Sequence, residues 1–184
     1  MRNFKSLSIV LFTVLLFTAC SDDDNAPVPV NEEEIITTLT VTLAPNGGGD
    51  AITLQTRDLD GDGPNAPVVE VSGNLAAGAT YSGSIILLNE TETPAENITE
   101  EVEEEDDEHQ LFYTIGGGLD VTTEYANFDG NGNPLGTEFT LTAGAASSGT
   151  LTFTLRHEPT KPNTGLGDAG GETDIETTFS VSVE

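Results

Sequence analysis

From Ile35 onward the chain alternates apolar and polar residues with a period of two. Ile35, Leu39, Val41 and Leu43 fall on one side, and Thr38, Thr40 and Thr42 fall on the other. That period marks half-buried β-strands. The run Pro45-Asn46-Gly47-Gly48-Gly49-Asp50 is a turn, and Ile52 and Leu54 begin the return strand. Asp58 to Pro67 reads as a loop, and Val69 and Val71 as a short strand closed by Gly73-Asn74. Tyr81 to Leu88 ends apolar on both faces, which predicts a central strand. Leu111, Tyr113 and Ile115 run into Gly116-Gly117-Gly118, and Leu119, Val121 and Tyr125 return. After a turn over Phe128 to Gly136 come Phe139 and Leu141, then Leu151, Phe153 and Leu155, and last Ile175, Phe179, Val181 and Val183.

One segment breaks the pattern. Thr93-Pro94-Ala95-Glu96 predicts a helix start, with Thr93 as cap, Pro94 in the first helical position and Glu96 completing a capping box. Ala95, Ile98 and Val102 recur at helical spacing, so the helix should reach about Asp107. Glu103 to Glu108 crowd the negative pole of its dipole, and such an end should fray unless something positive binds there. Roughly nine short strands between Gly, Asn and Pro turns define an all-β chain. The expectation is a single immunoglobulin-like β-sandwich over residues 35–184, with one short acidic helix. About 150 residues make one domain with a core that needs no disulfide.

The segment before the domain reads differently. Arg2 and Lys5 precede an apolar stretch from Leu7, followed by Leu16-Phe17-Thr18-Ala19-Cys20. It is too short and wrongly flanked to span a membrane and reads as a secretory signal over residues 1–19. Cys20 is the only cysteine. Its setting resembles a bacterial lipobox, in which cleavage precedes the cysteine and the thiol carries diacylglycerol; Phe17 departs from the usual Leu or Val. Ser21-Asp22-Asp23-Asp24 resembles the export signal of Bacteroidetes-type surface lipoproteins, which implies an outer-membrane protein displayed at the cell surface, or otherwise on the periplasmic face. Acyl chains would hold it firmly, at about 0.8 kcal/mol per buried CH₂. Residues 20–34, with Pro27, Pro29 and Glu32 to Glu34, read as a lipidated acidic tether.

Charge narrows the partners. All 32 Asp and Glu follow Cys20, where only Arg57, Arg156 and Lys161 carry fixed positive charge. Nucleic acid and anionic head groups would be repelled, leaving the lipid anchor as the membrane contact, while cations would be drawn in.

The two histidines, His109 and His157, each end a strand, in phase with its core-facing residues and beside Glu108 or Glu158. If the strand ends coincide, they could join a carboxylate in a nitrogen/oxygen site suited to zinc or copper. Asp168 and Glu172, with Asp174, in the loop Gly165 to Asp174, are the candidate third ligands. Two partly exposed histidines hydrogen-bonded at strand ends would look the same in sequence. Asp58-Leu59-Asp60-Gly61-Asp62-Gly63 has the alternating carboxylates and sixth-place glycine of a calcium loop, but its twelfth place is Val69. Asn127-Phe128-Asp129-Gly130-Asn131-Gly132 ends correctly on Glu138 but begins with Asn. Nucleophile elbow, phosphate loop and histidine-zinc motifs are all missing from the sequence, so an enzyme is not expected.

Several phrases resemble a small flavobacterial lipoprotein family of unknown activity: Asp58 to Pro67, Asn97 to Glu105 with Glu108-His109-Gln110, and Leu155 to Pro159 through Gly170 to Ile175. Its members are often described as type 1 periplasmic-binding-fold proteins, which implies two α/β lobes with parallel sheets. The residues themselves read as one β domain. Together these features predict a lipid-anchored binding or accessory protein that captures a divalent transition metal and hands it to an outer-membrane receptor. The alternative is a structural or adhesion module whose acidity only keeps it soluble.

Overall fold

The structure, a computed structural model, describes residues 34–61 and 63–184. The leader, Cys20, the tether up to residue 33, and Asp62 lie outside the described residues. The remainder is all-β, with ten strands in two antiparallel sheets and two short helices. The strands are β1 (Thr38–Pro45), β2 (Ile52–Arg57), β3 (Val68–Val71), β4 (Thr80–Asn89), β5 (Glu96–Asn97), β6 (His109–Gly116), β7 (Val121–Tyr125), β8 (Glu138–Ala143), β9 (Ser147–His157) and β10 (Glu172–Val183). Helix α1 spans Ile98–Glu104 and α2 spans Leu166–Ala169. The larger sheet runs β3-β2-β1-β4-β8-β7, with β5 on β4, and the smaller runs β10-β9-β6.

The period-two pattern explains the layers. Leu39, Val41 and Leu43 of β1, Ile85 and Leu87 of β4 and Leu141 of β8 are buried, as are Leu151, Phe153 and Leu155 of β9. The two inner faces share one core, in which the Phe139 ring of β8 lies 5.8 Å from that of Phe153 on β9. Gly83 of β4 is part of this design. A Cβ there would sit 2.5 Å from the Phe139 ring, so the ring occupies space that only glycine leaves. β4 is central, between β1 and β8, as its apolar run predicts, although Ile86 on its outer face is 42% exposed.

The helix is shorter than its sequence suggests. Glu96 and Asn97 pair with Asn89 and Leu88 as β5, so the chain is held extended until Ile98, and Asn97 stands at the cap position. Thr93 and Pro94 therefore neither cap nor open the helix, and the Thr93–Glu96 capping box does not form. Ile98 and Val102 are buried as the spacing predicts, whereas Ala95 is exposed. The positive group required at the acidic end is present. Lys161 Nζ donates to the carbonyl of Asp106 at 2.6 Å and lies 3.4 Å from Asp129 Oδ2. Both side chains are buried, 6% exposed for Lys161 and 0% for Asp129. Among the described residues no helix is long and apolar enough to cross a membrane.

Candidate metal centre

His109 and His157 stand directly opposite each other in the β6–β9 ladder, at the end where the inner apolar rows of both strands finish. Paired residues of an antiparallel ladder project to the same face, so both imidazoles enter the sandwich. Their ring centroids are 4.7 Å apart, and the residues are 0% and 5% exposed. Glu108 and Glu158 hold exposed carboxylates within reach of His157, their backbones joined by the Glu158 amide donating to the Glu108 carbonyl at 2.7 Å.

Asp174 arrives through an irregularity. Thr173 pairs with Arg156 and Ile175 with Leu155, which leaves Asp174 as the extra residue of a β-bulge. Bulges re-aim a side chain without interrupting the sheet. Here the Asp174 side chain is turned inward, 1% exposed, with Oδ1 3.8 Å from His157 Nδ1. Gly171, at φ 70°, helps position the returning strand, since a Cβ there would lie 2.2 Å from the carbonyl oxygen of His157.

The fourth member is Glu34, from the segment before β1. Its Oε1 lies 2.8 Å from His109 Nε2 and its Oε2 3.2 Å from His157 Nδ1, with its side chain 7% exposed. Ligand atoms of Glu34, His109, His157 and Asp174 all fall within 4.8 Å of one another.

Local bonding fixes how His109 presents itself. Its Nδ1 is 3.2 Å from the carbonyl oxygen of Glu105, at the end of α1. A carbonyl only accepts, so Nδ1 carries hydrogen and Nε2 faces the centre. Without a metal, Nε2 meets a carboxylate at 2.8 Å and needs a proton of its own to donate. Burial lowers the pKa of His109, but the bond to and charge of Glu34 outweigh it and hold the ring above its usual value. Glu34 responds in kind: burial raises its carboxyl, while His109 and His157 pull it down to about 2. Asp174 is pushed up to about 7 by burial, reinforced by the charge of Glu34 and opposed by the two histidines. Both its oxygens are buried without a hydrogen-bond partner among the described residues.

The other candidates lie elsewhere or are differently engaged. Asp168 turns back on its own loop, accepting from Thr164 N at 3.0 Å and Thr164 Oγ1 at 2.9 Å. Glu172 stands opposite His157 in the β9–β10 ladder but is exposed and outside the cluster. The bulge thus brings Asp174 to the histidines and leaves these two outside. In the first calcium-like loop Asp58 Oδ1 accepts from Asp60 N at 3.3 Å, and Asp60 Oδ2 accepts from Asn65 Nδ2 at 2.6 Å. In the second, Asp129 Oδ1 accepts from Asn131 N and Asn133 N, and the cation against it is Lys161. Glu34 escapes a reading by periodicity because it ends the acidic run Glu32 to Glu34, which looks like spacer, one residue before the alternation begins. No family model, curated protein or solved structure matches the chain.

Proposed function

We propose that this is an extracytoplasmic, lipid-anchored binding protein whose β-sandwich holds a divalent transition metal between His109, His157, Glu34 and Asp174. The observation that carries the reading is Asp174, a carboxyl group with both oxygens buried and without a hydrogen-bond partner among the described residues, beside two imidazoles and a second carboxylate. Such a group is costly unless something positive meets it. The spacing fits an ion. Ligand atoms around tetrahedral zinc lie about 3.3 Å apart, and one ligand atom from each of the four residues lies within 4.8 Å of the other three, close enough for small side-chain shifts to close around an ion. Two nitrogens and two oxygens suit zinc or copper(II); calcium takes oxygen ligands alone. Four protein ligands in a site this buried leave no open position for substrate, which favours holding an ion over catalysis with it. The acidic surface raises the local cation concentration, and the lipobox-like leader supports a position outside the cytoplasm, from which the protein would serve an outer-membrane receptor.

Calorimetric titration of the chain with Zn²⁺, Cu²⁺ and Ca²⁺, repeated on His157→Ala, tests the reading. One-to-one zinc or copper binding that the substitution removes supports it. Absence of binding to the wild type would leave a structural or adhesion module.

A further inference from the structure

The ligands of the centre come from two parts of the sandwich. His109, His157 and Asp174 sit on β6, β9 and β10, the whole of the smaller sheet, whereas Glu34 precedes β1 of the larger one. The chain at Glu34 is held in an unusual way. The backbone ladder begins only at Thr37, whose amide donates to the Leu88 carbonyl at 2.9 Å. Among the described residues the backbone groups of Ile35 and Ile36 make no hydrogen bond, and Ile35 is 62% exposed. Ile36 packs partly against the core. Beyond that, the segment is fixed by the Glu34 carboxylate reaching both histidines.

Resting on the metal reading above, we infer that an ion at this centre clips the leading segment to the three-stranded sheet, so that ion binding and docking of residues 34–36 form one linked equilibrium. Undocking Glu34 removes one of four ligands. The ion therefore strengthens docking by the same factor by which docking strengthens ion binding. The ion thereby sets whether residues 34–36 are held against the sandwich or released from it.

Amide hydrogen exchange of the full chain in detergent, with and without Zn²⁺ and with Mg²⁺ as control, reads this directly, alongside zinc affinities of wild type and Glu34→Gln. Zinc is expected to slow exchange at Thr37, the first hydrogen-bonded amide after the clipped residues, by roughly 10-fold or more in the wild type, matching the loss of zinc affinity in Glu34→Gln. Mg²⁺ should leave exchange unchanged. Zinc bound by the wild type without slower exchange at the Thr37 amide, or bound equally well by Glu34→Gln, would overturn the clip while leaving the metal centre standing. Failure of the wild type to bind zinc or copper would remove the centre and the clip together.

Discussion

His109 and His157 face each other across the β6–β9 ladder with ring centroids 4.7 Å apart, and one carboxylate, Glu34, bonds to both. The pair is placed by strand register, so it is as rigid as the sheet itself. Losing an outer partner of a metal ligand typically costs about 10–100-fold in affinity. Replacing a ligand should cost more. His109→Ala and His157→Ala are each expected to weaken Zn²⁺ binding beyond that range in calorimetry. Asp168→Asn and Glu172→Gln should leave it within a few-fold, since neither carboxylate belongs to the cluster.

Metal binding should release protons. His109 Nδ1 is committed to the Glu105 carbonyl, so an ion at Nε2 displaces the proton that faces Glu34. Asp174, at about 7, also gives up a proton near neutrality. Titration in buffers of different ionisation enthalpy should report net release of about one to two protons at pH 6.5, and less at pH 8. Binding with no proton release would exclude both groups as ligands.

The metal-free domain should have an unusual pH profile. Asp174 is raised from an ordinary 3.8 to about 7, so the folded state holds its proton more tightly, and stability falls as pH rises between those values. His109, raised above 6.5, contributes stability that is complete below that value and fades as pH climbs through its folded pKa. Glu34 acts oppositely, stabilising above 4.5 and losing that contribution as pH falls towards 2. Urea unfolding in the presence of a chelator should show greatest stability near pH 4–5. Asp174→Asn should stabilise the metal-free domain at pH 8 by on the order of 2 kcal/mol and flatten the slope between pH 5 and 7. The same change should abolish tight zinc binding.

Lys161 offers a test away from the centre. Its ammonium meets the Asp106 carbonyl at the acidic end of α1 and the buried carboxylate of Asp129. Lys161→Met should cost about 1–3 kcal/mol by leaving these acceptors short of a donor. Exchange should speed up first at the amides of Glu105 and Glu108, which close the helix end.

Gly83→Ala is the core counterpart. The added methyl would stand 2.5 Å from the Phe139 ring and force it to move. Overpacking of this kind costs about 1–3 kcal/mol, read as a lowered urea midpoint. A second change, Phe139→Leu, should recover part of the loss.

What the sequence reveals and what it hides follow from the range of each signal. Alternation is local, and nine of the ten strands fall where Leu39, Ile85, Phe153 and their like predict them. β5 hides inside the apparent capping box because its pairing with Leu88 and Asn89 is a tertiary fact. The two histidines are visible as strand-end residues, and their meeting needs only one ladder register. Asp174 stands next to core-facing Ile175 and therefore out of phase with it; only the bulge turns it inward. Glu34 has no local mark at all.

Glu34 and His157 are 123 positions apart, and the cluster draws on segments from before the first strand to the last. Chain closure over such distances comes late, after the pairings that bring the strands together. A zinc ion would find its ligands gathered only once the sandwich has formed. It would then act on the lifetime of the native state and not on the search for it. In a denaturant chevron, zinc would leave the refolding limb in place and lower the unfolding limb. The ion would then serve as a slow lock on an already finished fold.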